Sequence, residues 1–200
     1  SQFDMLSLYA LAATRTDAPI LVRVKTDCPL LDPDFLVELI DEFRAQNADY
    51  LSNSEPPTYP DGFDIEVFTR DVLLIANQEC NDQVQRERVT PWIREGGRFR
   101  LMSKRHGTDL SALRWTVEEP EDLQVIRAVV DHFEGRSNFR WQQVLELQQM
   151  HPDLFAANIQ FTRKKGASMG EGQKLWERAK RVIPGGNMLL SKRAEMFLPE

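Results

Sequence analysis

A layered α/β fold is predicted by three observations on the sequence. Short apolar runs alternate with longer segments whose apolar residues keep helical spacing, as in strands and helices packed in layers. The 200 residues, of which 42% are hydrophobic, are enough to bury a sizeable core. Two strand-like runs between residues 49 and 68 are joined by a loop rich in turn formers, which predicts a local antiparallel pair and therefore a mixed sheet.

The chain opens with a predicted helix over residues 5–13 and a buried strand over residues 20–24. Asp32 and Pro33 then suit the cap and first position of a helix that ends near Gln46. A proline in a helix interior lacks the N–H that the helix needs, so Pro91 should kink or split its helix. The other predictions are strands at 49–53, 64–68, 99–103 and 113–117 and helices at 70–78, 82–95, 119–133 and 141–150.

Charge and composition exclude several classes of protein. The chain has 31 acidic and 25 basic residues, which argues against a general nucleic-acid or anionic-membrane surface. No apolar run approaches the roughly 20 residues of a membrane-spanning helix, and no signal peptide opens the chain, so we expect a cytoplasmic protein. Cys28 and Cys80 match no metal-ligand spacing and are expected to be reduced thiols.

Asp27 is the first candidate site residue. It follows the apolar strand over residues 20–24 and precedes the helix capped by Asp32, so it belongs to neither element. In open α/β sheets, ligands bind in the crevice beyond the carboxyl ends of the strands. An acid at that position is therefore a site candidate, although acids are also common in loops.

Four more residues are candidates for substrate binding. Asp64 and Glu66 share one face of a predicted strand that follows a loop stiffened by prolines, and a solvated strand face is the equally simple alternative. Arg86 and Arg88 could clamp a carboxylate or phosphate, or lie on a solvated helix face. Acids near helix starts are explained by capping instead and are left out of the site: Asp32, Asp34, Glu119, Glu121 and Asp122.

Several phrases, taken in order, resemble the cytidylyltransferases of spore coat and other surface polysaccharide biosynthesis, which are similar to the CMP-sugar synthetases. The phrases are VRVKTDCPLLDP, SNSEPPTYPDGFDIEVF, RERVTPWIRE, DLSALRWTVEEPEDL and HPDLFAAN. The resemblance covers residues 1–160 and the C-terminal two-thirds of the family's domain. It implies a Rossmann-like nucleotide-diphospho-sugar transferase fold with a mixed sheet, whose N-terminal part is missing from this chain.

The resemblance also implies a reaction and a metal site. Family members transfer a cytidylyl group from CTP to a sugar or sugar acid, release pyrophosphate and use Mg²⁺. Asp27 and Glu118 take the positions of the catalytic metal ligands, and the region of Asp64 and Glu66 borders the sugar pocket. The family usually has Asp where Glu118 stands and often His where Arg88 stands, so metal ligation and substrate orientation are expected to differ here.

The tail GQKLWERAKRVIPGGNMLLSKRAEMFLP resembles the opening of a glutamate-1-semialdehyde aminotransferase, an enzyme of the pyridoxal-phosphate class. We therefore expect a cytidylyltransferase-like domain over residues 1–160, a linker over 161–173 and the start of an aminotransferase-like domain over 174–200. The glycine- and arginine-containing nucleotide loop and the lysine that holds pyridoxal phosphate are both absent. We expect activity in the intact parent protein and none in the chain itself.

Two alternatives to catalysis remain open at this stage. The domain could be a non-catalytic module that binds a sugar or a protein partner, or a scaffold that hands substrate to a functional aminotransferase half. Expected partners are CTP and a sugar or sugar acid, without nucleic acid or membrane. Phe139 and Trp141 are candidates for the surface of a homodimer.

Overall fold

The computed structural model of the protein describes residues 4–136 and 138–163. Four strands form one sheet in the order β1-β3-β2-β4. Strand β3 is antiparallel to β1 and β2, whereas β2 and β4 are parallel, so the sheet is mixed, as predicted. The strands are β1 (Ile20–Val24), β2 (Tyr50–Ser52), β3 (Ile65–Thr69) and β4 (Leu101–Ser103).

The helices agree closely with the sequence pattern. Pro91 begins a new helix and so separates two short ones, as predicted. The helices are α1 (Met5–Ala13), α2 (Pro33–Ala45), α3 (Arg70–Glu79), α4 (Gln83–Arg88), α5 (Pro91–Glu95), α6 (Pro120–His132) and α7 (Trp141–Met150), followed by a 3₁₀ helix (Pro152–Asn158).

Asp32 caps α2 and joins it to α7. Its side chain accepts hydrogen bonds from the N–H groups of Asp34 at 2.9 Å and Phe35 at 3.2 Å, which confirms the predicted cap. The other carboxylate oxygen accepts from the N–H of Trp141 at 3.0 Å. One buried carboxylate therefore satisfies free N–H groups at the starts of two helices.

Each face of the sheet carries its own apolar core. Alternate residues of β3 point to opposite faces, as the period-two pattern predicted: Ile65 and Val67 to one and Phe68 to the other. The first core packs the sheet against residues of α2, α6 and α7, among them Phe35, Leu39, Val129, Trp141 and Val144, and against Trp115 from the stretch before α6. The second packs it against residues of α1, α3 and α5, among them Leu6, Val72, Leu73, Ala76 and Ile93.

Two predictions about the fold are wrong. Residues 113–117 were predicted to be a strand, but they are extended without joining the sheet. Their backbone groups bond to two separate loops, at Asp61 and Asp27, so no continuous ladder forms. Trp141 is 5% exposed and packs in the first core, so it does not belong to a dimer surface.

Part of the predicted domain organisation lies outside the described residues. This applies to residues 164–173 of the predicted linker and to the whole aminotransferase-like segment over 174–200. Residues 161–163 have no regular secondary structure. Within the described ranges, no helix is both long and apolar enough to cross a membrane.

Replacement of Gly62 by alanine tests the close approach of its backbone to that of Thr116. Gly62 has φ +93°, and a Cβ there would lie 2.3 Å from the N atom of Thr116. Backbone strain and the clash should each cost about 1–3 kcal/mol of unfolding free energy. Chemical denaturation of Gly62→Ala should therefore show a loss of roughly 3 kcal/mol.

Gly107→Ala is the matched control, because nothing lies within 4 Å of the added Cβ and its φ is not in the left-handed region. It should unfold like the unchanged protein. Equal stability of the two variants would contradict the close packing of Gly62 against Thr116.

Candidate active site

Three chain segments meet beyond the carboxyl end of β1. They are the loop that follows β1 (residues 25–28), the turn that precedes β3 (residues 61–64) and the extended stretch before α6 (residues 113–118), which we call the site segment. The main-chain oxygen of Asp27 accepts from the N–H of Val117 at 2.9 Å and from Oγ1 of Thr116 at 3.1 Å. These two bonds join the first loop to the site segment.

The turn before β3 binds the same segment from its other side. The N–H of Asp61 donates to the oxygen of Leu113 at 2.8 Å, and the N–H of Trp115 donates to the oxygen of Asp61 at 2.7 Å. Only glycine allows the backbone approach at position 62. Main-chain bonds therefore hold the site segment between two loops. Each loop contains a predicted site residue, Asp27 in one and Asp64 in the other.

This arrangement brings the two predicted metal ligands to neighbouring positions. Asp27 bonds to the residue that precedes Glu118 in the chain. Asp27 is half-buried, and its Oδ1 accepts from the thiol of Cys28 at 3.4 Å. The carboxylate of Glu118 lies 3.4 Å from a guanidinium nitrogen of Arg114. The backbones of Asp27 and Glu118 therefore lie close together beyond the carboxyl end of β1, and their role as metal ligands stays a prediction.

Arg114 connects the acids of the site. Its Nε donates to Oδ1 of Asp122 at 2.8 Å and its Nη2 to Oδ2 at 2.7 Å, a bidentate pair with both side chains almost fully buried. Its Nη1 lies 3.3 Å from Asp61, and the ring of Phe161 lies 5.6 Å from the guanidinium carbon. Because this pair is buried, its geometry is far stiffer than that of a surface ion pair.

Asp122 accepts hydrogen bonds from N–H groups at the start of α6 as well as from Arg114. Its Oδ2 accepts from the N–H groups of Glu118 at 3.0 Å and Glu119 at 2.9 Å, so the predicted capping role is confirmed. Burial raises the pKa of Asp122, but hydrogen bonds from Arg114, Asn158 and the backbone outweigh burial and hold that pKa at about 2. The carboxylate is therefore charged throughout the neutral range.

Asp64 is held between two cations. Its Oδ2 accepts from Nζ of Lys25 at 2.9 Å, and its Oδ1 accepts from Nη2 of Arg163. Arg163 also donates to the main-chain oxygen of Tyr59 at 3.2 Å and lies 3.7 Å from Asp61. Both oxygens of Asp64 have protein partners, so its predicted sugar contact gains no support from this geometry.

Asp61 is an acid of the site whose pKa is raised. Burial is the largest effect and raises the pKa of Asp61, and the nearby charge of Asp64 raises it further. Arg163 and Arg114 lower the pKa but do not offset these effects, so it lies above its ordinary value. Asp61 follows Pro60 in the turn before β3 and had no predicted function. Its position between two arginines makes it part of the framework of the site.

Glu66 forms a second buried network on β3. Its carboxylate binds Arg23, the cross-strand neighbour on β1, and also accepts from the hydroxyls of Tyr50 at 2.5 Å and Thr90 at 2.6 Å. Burial, together with the charge of Glu66, raises the pKa of Tyr50 well above its ordinary value. Glu66 does share a strand face with Asp64, but its oxygens serve the protein interior, so its predicted substrate contact also lacks support.

The two predicted arginines have different surroundings. All five N–H groups of Arg86 are used within the protein, by Asp4, Ser7, Asn77 and the main-chain oxygen of Cys80. Arg86 therefore joins α1, α3 and α4 and has no donor left for a substrate. Arg88 is exposed at the end of α4, and its predicted substrate role stays a prediction.

The donor set of Asp27 and Glu118 is suited to Mg²⁺, the metal that the resemblance implies. Magnesium binds oxygen, uses one or two carboxylates and keeps several waters. Within residues 4–136 and 138–163, no group of three or more His, Cys, Asp or Glu side chains converges in the manner of a protein-only metal cage. A site of two carboxylates completed by water and substrate oxygens is the arrangement that these residues could form.

Cys28 is a small buried thiol, as predicted. It is free and 8% exposed, and burial raises its pKa to about 12. A thiol that stays protonated at neutral pH is a poor nucleophile. Cys28 therefore packs beside Asp27 and contributes a weak hydrogen bond.

Sequence reasoning missed four charged residues of the site: Lys25, Asp61, Arg114 and Arg163. One signal was present, since Arg114 interrupts an apolar run and stands four residues before Glu118. Arg163 contacts the turn from about 100 residues away in the chain, and no local pattern indicates such a contact.

Comparison with known proteins agrees with this architecture. No protein-family model matches the chain. The described fold is that of a Rossmann-like α/β transferase with a mixed sheet. It is similar to the solved structure of a cytidylyltransferase from Leptospira borgpetersenii, with a TM-score of 0.74 and 26% identity, covering 82% of this chain and 69% of that one. An uncharacterised protein of Methanocaldococcus jannaschii is 25% identical, and the match covers 82% of this chain and 67% of that protein.

Asp122→Asn tests the buried pair through its pH dependence. Breaking a buried ion pair costs about 3–5 kcal/mol, so the variant should be less stable at pH 7 by that order. The folded pKa of about 2 lies below the ordinary value of 3.8, so the charged form stabilises the fold above about pH 4. About 2 kcal/mol of the difference should vanish as pH falls from about 4 to about 2.

Asp41→Asn is the control, because this acid is exposed and pairs with Arg44 on the surface of α2. Urea unfolding between pH 2 and pH 7 measures both effects. A constant difference between Asp122→Asn and the unchanged protein over that range would contradict the assigned pKa.

Arg86→Ala separates a structural from a substrate-binding role. Loss of five hydrogen bonds at a mostly buried site should lower the unfolding free energy by about 2–4 kcal/mol. Arg98→Ala removes an exposed ion pair with Glu79 and should cost at most about 1 kcal/mol. Thermal unfolding compares the two, and an Arg86→Ala protein as stable as Arg98→Ala would rule out the structural role.

Proposed function

We propose that the intact protein transfers a cytidylyl group from CTP to a sugar or sugar acid for cell-surface polysaccharide synthesis and releases pyrophosphate. The observation that carries this proposal is the pair of bonds to the main-chain oxygen of Asp27, from the N–H of Val117 and the hydroxyl of Thr116, because they hold the loop of Asp27 against the residues that precede Glu118. Similarity to a solved cytidylyltransferase supports nucleotidyl transfer as the reaction class. CTP as donor, the sugar acceptor and a spore coat role are inferred from the resemblance.

Asp27 and Glu118 are the proposed holders of Mg²⁺. When bound, Mg²⁺ would supply a fixed positive charge that stabilises the oxygens of the group being transferred. The chain's own contribution is to keep the two carboxylates in place. Asp27 is fixed through its main-chain oxygen, and Glu118 through its N–H bond to Asp122 and its contact with Arg114.

The extra methylene of Glu118 matters for this mechanism. Compared with aspartate, it moves the carboxylate outward by about one bond length. Arg114, at 3.4 Å, restrains the longer side chain on one side. We therefore propose that Glu118 binds the metal more weakly than aspartate would, or through a water molecule.

The pyridoxal-phosphate enzyme proposed for residues 174–200 and beyond rests on sequence resemblance. The intact protein would then be a fusion of two enzymes. Absorbance of bound pyridoxal phosphate in the purified intact protein would support the fusion. Such absorbance without any nucleotide turnover would favour the scaffold hypothesis over cytidylyl transfer.

Pyrophosphate release from CTP, measured with a panel of sugars and sugar acids, tests the proposed activity. The intact protein should release pyrophosphate only when Mg²⁺ and an acceptor are present. Asp27→Asn should lower the rate by about a hundredfold or more, because it removes a charged metal ligand. Asp41→Asn, an exposed acid on α2, should leave the rate unchanged.

Glu118→Asp and Glu118→Gln test the second ligand in the same assay. The aspartate variant should keep or increase the rate, whereas the neutral glutamine variant should lower it. If no acceptor supports Mg²⁺-dependent release, catalysis is excluded and the domain is a binding module. If Glu118→Gln is as active as the unchanged protein, Glu118 is not a ligand.

A further inference from the structure

Lys25 places an ammonium group beside the candidate metal ligand Asp27. It follows β1 directly and stands two residues before Asp27 in the chain. Asp64 continues the antiparallel register in which Arg23 faces Glu66, and its Oδ2 accepts from Nζ of Lys25 at 2.9 Å. The ammonium is therefore held at the crevice rather than swinging freely in solvent.

The ammonium keeps donors for a ligand. A lysine has three N–H donors, and within the described residues Asp64 is its one hydrogen-bond acceptor. The Lys25 side chain is 47% exposed, whereas that of Asp64 is 10% exposed. Because Arg163 takes the other oxygen of Asp64, this carboxylate is a buried support and the ammonium is the more exposed member of the pair.

The charge on Lys25 is secure at neutral pH. Lysine is ordinarily charged at this pH, and the carboxylate of Asp64, 2.9 Å from Nζ, stabilises the ammonium. Loss of the half-exposed ammonium should cost at most about 1 kcal/mol of stability, because Arg163 stays paired with the buried Asp64. Stability is therefore a weak reason for a lysine at this position, and ligand recognition is a stronger one.

We propose that Lys25 binds an oxyanion of the substrate pair next to Asp27, with Asp64 as its positioning residue. This inference rests on the proposed function and adds a substrate-binding residue to it. The oxyanion has two chemical sources, the carboxylate of a sugar-acid acceptor or a phosphate of the nucleotide and pyrophosphate. In either case the ammonium offsets the negative charge that accumulates beside the two metal-binding carboxylates.

Calorimetric binding of two anions to the full chain tests the proposal and separates the sources. The probes are pyrophosphate and glucuronate, with glucose as the neutral counterpart of glucuronate. Lys25→Met should weaken binding of one anion about tenfold to a hundredfold, as expected for loss of a charged hydrogen bond. Lys25→Arg keeps the charge and should retain most of the affinity.

Lys104→Met is the matched control, because Lys104 also pairs with carboxylates, those of Glu38 and Glu42. It should bind both anions like the unchanged protein. Weaker pyrophosphate binding by Lys25→Met assigns the phosphate source, and weaker glucuronate binding assigns the acceptor carboxylate. Thermal unfolding of Lys25→Met should remain within about 1 kcal/mol of the unchanged protein.

Two results would overturn the inference. One is equal anion affinity of Lys25→Met and the unchanged protein, and the other is no binding of either anion by the unchanged protein. If either result is found and the protein still releases pyrophosphate from CTP in the presence of Mg²⁺, then Lys25 has no role in binding but the proposed function is retained. If anion binding depends on Lys25 but CTP is not turned over, then the binding role of Lys25 is supported and the proposed function is contradicted.

Discussion

The buried ion pair between Arg114 and Asp122 is the interaction on which the rest of the site depends. Arg114 is part of the site segment, and Asp122 lies in the first turn of α6. Their two hydrogen bonds fix the segment to the helix, and the same guanidinium reaches Asp61 and Glu118. An isolated buried charge would be prohibitively costly, so each partner is stable only because the other is present.

The main-chain bonds of the site segment extend this constraint to both neighbouring loops. The oxygen of Asp27 and both backbone groups of Asp61 bond to the segment. Gly62 lets the turn approach closely enough for the bonds to form. The backbone positions of the proposed metal ligands are therefore set by main-chain bonds, which are stiffer than the side chains themselves. Such rigidity suits a reaction in which the protein mainly positions charged groups.

The fold was largely predictable because its signals are local. Helix α2 is marked by Asp32 and Pro33 at its start and by apolar residues at helical spacing, and the structure has it where the sequence pattern placed it. Pro91 splits a helix for the expected reason, the missing N–H. Residues 113–117 were the exception, because an apolar, β-branched stretch looks the same whether it joins a sheet or bridges two loops.

The site was only partly predictable because its contacts are not local. Asp27 was a candidate from its position after a strand and Glu118 was identified from a resemblance, and the structure brings their backbones together. Arg86 was predicted to bind substrate because an arginine can hold a carboxylate or phosphate. Its five N–H donors instead bond to groups of the protein and join three helices. Asp64 is likewise held by cations from both ends of the described chain, Lys25 and Arg163. No spacing rule indicates partners that are separated by many residues in the chain.

Binding of Mn²⁺, followed by electron paramagnetic resonance, tests the central claim that Asp27 and Glu118 form one site for a divalent cation. The protein should bind one Mn²⁺ at this site, Asp27→Asn and Glu118→Gln should each weaken it, and the double variant should be little worse than the weaker single variant. That non-additivity is expected when two ligands hold the same ion. Mn²⁺ binding that is unchanged in both single variants, or losses that simply add, would contradict a shared site and the nucleotidyl transfer inferred from it.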